Sequence, residues 1–177
     1  VCPPAAVAGP AVPPGWSSTP SPWTQRLPII VLAFVGLHVS RTLVAYQLGH
    51  VDGVWEPFFA GGYEGKNGTE EIITSSLSEA WPVPDAGLGA MTYLLEILTG
   101  VIGTRARWRT MPWLVLLFGL MIVPLGVVSV FFIIVQPVLI GTWCTLCLIG
   151  AAAMLAQIPY SLDELLATCQ FLLRRKR

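Results

Sequence analysis

Four long apolar runs, separated by stretches rich in charge, glycine and proline, set the pattern of the chain. They are PIIVLAFVGLHVSRTLVAYQ at 28–47, AGLGAMTYLLEILTGVIG at 86–103, MPWLVLLFGLMIVPLGVVSVFFIIVQ at 111–136 and LIGTWCTLCLIGAAAMLAQI at 139–158. A helix of about 20 apolar residues crosses the ~30 Å hydrocarbon core of a bilayer. None of the runs alternates apolar and polar residues as the strands of an outer-membrane barrel do. The pattern predicts an all-α membrane protein built as a four-transmembrane-helix bundle, with a long loop at 48–85 between the first two helices.

The flanks read differently. Residues 1–24 are rich in proline and small side chains, without the charged start and apolar core of a signal peptide. Such a segment buries too little surface to offset its ordering, so a flexible tail is expected. Pro159 is expected to close the fourth helix and end a membrane domain at 25–160. Ser161 and Glu164 have capping-box spacing, and Leu162, Leu165, Leu166, Cys169, Leu172 and Leu173 fall on one face. Residues 161–177 therefore read as a separate amphipathic helix with a basic end, lying in the membrane interface.

Composition agrees with the membrane reading. Hydrophobic residues make up 54% of the chain and charged residues 11%, and the mean hydropathy is +0.69. Nothing in this balance suits nucleic-acid binding. The formal net charge of zero hides an asymmetry. Arg26, Arg105, Arg107, Arg109, Arg174, Arg175, Lys176 and Arg177 fall on one side if the chain crosses four times, while the long loop holds seven of the ten acidic residues. Basic residues mark the cytoplasmic side. The expected protein is multi-pass in a bacterial-type cytoplasmic membrane, with both termini inside and the loop at 48–85 outside.

Chemistry enters at GTWCTLC, 141–147. Cys144 lies about five residues into the fourth run, ~8 Å deep at helical rise, on the side where disulfides persist. A helix start also favours a thiolate, through its dipole and unpaired amides. Redox chemistry and inert packing both remain open. A zinc site lacks further ligands, since His38 and His50 have no metal-ligand spacing, and no metal is expected. Glu96, in the middle of the second run, and His38 at similar depth form a candidate proton relay or a structural pair. Residues 69–78 are expected to form a short helix over the site, and Asp85 to cap the second long helix.

The phrases VWEPFF, SSLSEAWPVPDAGLGA, RWRTMPW and QPVLIGTWCTLC, with the four-helix order, resemble the vitamin K epoxide reductase (VKOR) family over about Pro22 to Arg175, closest to its bacterial stand-alone members. The resemblance implies a VKOR/DsbB-like bundle whose CxxC exchanges electrons with a quinone, ubiquinone or menaquinone. It implies that Cys147 meets the quinone, that Cys144 is attacked by an incoming thiolate, and that Ser75 or Ser76 and Trp81 help to cover the quinone. The thiol partner would be a thioredoxin-like or other protein on the outer face. Two departures stand out. The loop at 48–85 has no cysteine to shuttle electrons, and Ala151 stands where vertebrate members carry a tyrosine. Two functions follow: a membrane thiol-disulfide oxidoreductase, or a non-catalytic accessory subunit of a larger membrane complex that holds quinone or lipid.

Overall fold

Each apolar run forms a helix, but the boundaries move where polar groups find partners inside the protein. The computed structural model describes residues 12–62, 65–80 and 82–175. The elements are α1 (Trp23–Gln47), α2 (Gly68–Ile73), α3 (Asp85–Val101), α4 (Arg107–Thr110), α5 (Pro112–Val135) and α6 (Thr145–Arg175), with a π-turn at Gln136–Ile140 closing α5. Among the described residues the only strand-like pairing is an isolated bridge between Ala60 and Asn67. Residues 23–47, 112–140 and 145–175 are long and apolar enough to cross a membrane. At 17 residues, α3 reaches only ~25 Å at helical rise.

Helix α1 packs against both α3 and α6, and α5 packs on α6. Glycines set the close approaches. A Cβ on Gly36 would fall inside the Tyr93 ring, and one on Gly100, Gly119 or Gly126 would strike Ile30, Leu165 or Ile158. Small residues at helix contacts are the usual solution where lipid removes the hydrophobic drive between helices. The core joins Ile29, Ile30, Ala33, Tyr93, Ile97, Phe118, Ile122 and Met154. Outward-facing Val31, Phe34, Leu94, Leu98, Leu120, Val127 and Phe131 stay exposed, an apolar belt that suits lipid.

Two expectations at the chain ends are corrected. Helix α6 runs through Pro159 to Arg175 without a break, so there is no separate terminal helix. Membrane helices tolerate an internal proline because side chains and neighbouring helices re-satisfy the freed carbonyls, and the Ser161 hydroxyl donates to the Ile158 carbonyl. Glu164 is not a capping residue. It is buried and forms a two-pronged ion pair with Arg107, and Ser21 donates to its Oε1. The buried face of this part of α6 is Ser161, Glu164, Ala167 and Thr168, while Leu162, Leu166 and Leu173 point outward. The tail expected to be free is packed in its described part: Ser21 is fully buried and Trp16 Nε1 donates to Gln170. Residues 1–11 lie outside the described residues.

Two of the arginines grouped on one side of the membrane are buried. Arg26 donates to the carbonyls of Gly100, Val101, Ile102 and Gly103. Arg107 adds bonds to Thr99, Gly100 and Ile102. The end of a helix leaves its last carbonyls unpaired and carries partial negative charge, so two guanidinium groups close the C-terminus of α3. This cluster ties four segments together at one end of the bundle. The long loop and the CxxC occupy the other end.

Candidate redox site

The site is built where α5 turns into α6. The π-turn ends at Gly141, which has φ +87°, a left-handed backbone suited to glycine. Cys144 comes just before the first helical residue, Thr145. Its side chain is therefore not bound to a regular helical direction and can fold over the first turn. Positions three apart also share a face of a helical turn, so the two cysteines meet there. Cys144 and Cys147 form a disulfide, with Cα atoms 5.2 Å apart. The Cys147 amide donates to Cys144 Sγ at 3.0 Å. An unpaired amide of the helix start thus points at this sulfur and would stabilise its thiolate after reduction.

A polar latch from the long loop covers the same helix start. Glu56 accepts from the Thr145 amide at 2.7 Å and from Thr69 Oγ1 at 2.6 Å. It also accepts from the Thr145 hydroxyl and from the amides of Phe58 and Phe59. Burial pushes its carboxyl up, but these donors outweigh burial and hold it below the usual carboxylate range. Thr142 Oγ1 donates to the Ala60 carbonyl, and Phe59 packs on Trp143. Helix α2 begins with a complete capping box between Asn67 and Glu70, and Gly68 is pressed against the Trp143 carbonyl and Thr142. The result is a seal. Cys144 is 0% exposed and packs with Val39, Leu43, Val54, Ile72 and Ile73.

Cys147 borders a cavity of about 320 Å³. Apolar walls come from α1, α5 and α6, including Val39, Leu43, Leu125, Phe132 and Ile133, with Tyr93 of α3 beside them. A volume of this size suits a small ring compound. Its polar groups are few. Asp85 Oδ1 accepts from Gln47 and Ser78, Tyr93 donates to the Gly150 carbonyl, and Ser75 donates to the Ile72 carbonyl. Ser40, Ser129 and Gln136 also line the space.

The residues singled out from sequence divide clearly. Cys144, Cys147 and Ser75 converge at the site, and α2 covers it. Ser76 is exposed and does not line the cavity. Trp81 lies outside the described residues. His38 and Glu96 are not brought together: His38 is exposed, whereas Glu96 is fully buried with Gln157 of α6 as its polar neighbour, short of good hydrogen-bond geometry. Cys144 is sealed rather than open at the mouth of the site. Asp85 is the first residue of α3 rather than its cap, and Pro84 precedes it. The Asn67 side chain is engaged in the cap of α2 and with the Val54 carbonyl. Glu56, Gln47 and Gln136 were missed as site residues. The signal for Glu56 was its place in VWEPFF, and for Gln136 its place eight residues before Cys144. Among the described residues no cluster has the make-up of a metal site.

A model of the vitamin K epoxide reductase family matches residues 27–162. Neither the curated proteins nor the solved structures yielded a match.

Proposed function

Because the chain belongs to the vitamin K epoxide reductase family, as a multi-pass membrane protein with a cysteine pair suited to redox work, we propose that it is a thiol-disulfide oxidoreductase linked to quinone. The observation that carries this reading is the asymmetry of the pair. Cys147 borders an apolar cavity, while Cys144 carries the amide bond that would stabilise a thiolate. A protein dithiol on the outer face is the reductant. Its thiolate attacks Cys144 Sγ, the disulfide breaks, and Cys147 leaves as a thiolate. The partner's second thiolate then resolves the mixed disulfide and frees Cys144. The resulting dithiol passes two electrons to ubiquinone or menaquinone, and two protons complete the quinol as the disulfide re-forms. Glu96, one helical turn from Tyr93 in the cavity wall, is the proposed proton carrier without His38. Ser75 helps to cover the ring.

In this reading α3 is the fourth crossing, its short span completed by the arginines that close its end. The arginine end faces the cytoplasm with both termini, the loop faces outside, and the membrane is a bacterial-type cytoplasmic one. The bundle from α1 through the whole of α6 forms the redox unit. The loop at 48–85 has no cysteine, so the partner's thiolate reaches Cys144 only when the Glu56 segment lifts. The sealed Cys144 also favours a second reading, an accessory subunit of a larger membrane complex that keeps the cavity for quinone or lipid. Cys147→Ser separates the two. The oxidoreductase traps a mixed disulfide between Cys144 and an outside protein in intact cells. If nothing is trapped and the wild-type pair ignores added quinone, the accessory reading stands instead.

A further inference from the structure

The chain lacks a phenol at Ala151, and most polar groups around the cavity already have partners. Tyr93, Ser75, Ser78 and Asp85 are all engaged within the protein. Gln136 differs. It is only 2% exposed, yet it borders the cavity together with Cys147. Its Oε1 accepts from the Cys144 amide at 3.2 Å. A backbone amide can only donate, so the side-chain atom facing Cys144 must be the oxygen. The –NH2 group is thereby left over: it makes no hydrogen bond within the described residues, and it is not fully enclosed. Such a donor at the cavity wall is free to meet an acceptor that a ligand or water brings in. The π-turn holds this side chain in place. Pro137 brings no amide to the turn, and the Gly141 amide bonds to the Gln136 carbonyl. Such single-turn π-segments recur at functional sites.

We propose that Gln136 is the hydrogen-bond donor that orients the quinone, with Nε2 bound to the carbonyl oxygen on the side of Cys147. This rests on the quinone reading given above. The same side chain then touches both halves of the reaction: its oxygen holds the backbone of the sulfur that meets the thiol partner, and its nitrogen holds the acceptor of the electrons. As the ring is reduced, negative charge grows on the carbonyl oxygen. A donor already fixed in place stabilises that charge without reorganising. Ala151, also in the cavity wall, supplies only a methyl group, so orientation falls to Gln136.

The test uses the full-length oxidised protein in lipid nanodiscs, titrated with a short-chain ubiquinone and a short-chain naphthoquinone and followed by tryptophan quenching. Wild type is expected to bind one of them saturably, with affinity flat in pH. Gln136→Leu should weaken binding roughly fivefold to tenfold, the worth of one lost hydrogen bond. Gln136→Glu keeps the oxygen for the Cys144 amide but cannot donate when ionised, so it should bind weakly at neutral pH and recover in acid. If Gln136→Leu fails to fold, Gln136→Glu carries the test alone. Wild-type affinity in Gln136→Glu at neutral pH, or weak binding that stays flat down into acid, overturns the donor role while leaving the quinone reading intact. No saturable binding of either quinone to wild type overturns both.

Discussion

At the scale of single residues, Glu56 places a negative charge at the helix start that also favours a Cys144 thiolate. The two compete for the same end of α6, so Glu56 should make the dithiol form harder to ionise as well as holding the loop down. Its folded pKa lies below the ordinary carboxylate value. The contribution of the latch is therefore complete above the unfolded pKa and lost as pH falls through the folded one. Reduction of the disulfide by a phosphine, expressed relative to Glu56→Gln, should be slow and flat near neutrality and should rise only in acid. A ratio that changes instead around neutral pH would rule Glu56 out as the latch. At the opposite end, Arg107 and Glu164 are a buried pair with side chains 4% and 6% exposed. Breaking such a pair from one side costs about 3–5 kcal/mol. Arg107→Ala should therefore lower thermal stability sharply, and Glu164→Ala likewise. A melting temperature within a degree or two of wild type would contradict that.

At the scale of elements, the cap over Cys144 depends on how closely α2 can approach the turn before α6. A Cβ at Gly68 would collide with the Trp143 carbonyl and Thr142 Oγ1, both poorly able to move. Gly68→Ala should therefore lift the cap and speed phosphine reduction of the disulfide several-fold, with the rest of the bundle unchanged. Equal rates in the two proteins would show that the cap does not guard the sulfur. The elements also differ in how far the sequence revealed them. Four apolar runs are legible because lipid rewards every apolar residue, and a short helix is legible near its glutamates, although the one expected over 69–78 is capped by Asn67 and ends at Ile73. The continuation of α6 through Pro159 is not. Proline and a Ser-x-x-Glu spacing argue locally for a break, and only the distant Arg107 explains why Glu164 stays inside a helix. The CxxC was legible from its spacing, whereas its seal comes from Glu56, 88 positions before Cys144 in the numbering. A contact at that separation leaves no periodic trace. The His38–Glu96 pair failed for the opposite reason: equal depth along two helices does not fix rotation about their axes.

At the scale of the whole molecule, the two ends of the bundle have different jobs. The arginine end closes α3 and binds the strap before α1 to α6, while the loop end holds the disulfide and its cavity. In the proposed orientation, a cysteine placed at Arg105 should resist an impermeant maleimide added outside intact cells, while one placed at Lys66 should react. Labelling at 105 alone would invert the orientation and move the disulfide to the reducing side. The central claim, that electrons pass between this pair and a quinone, is tested most directly by anaerobic re-oxidation. The purified protein is reduced, freed of reductant and mixed with a stoichiometric short-chain quinone, and the thiols of Cys144 and Cys147 are counted by alkylation and mass spectrometry. The account predicts loss of both thiols together, with one quinol formed for each disulfide, and no such loss without quinone. Thiols that persist in the presence of excess ubiquinone and naphthoquinone alike would contradict it.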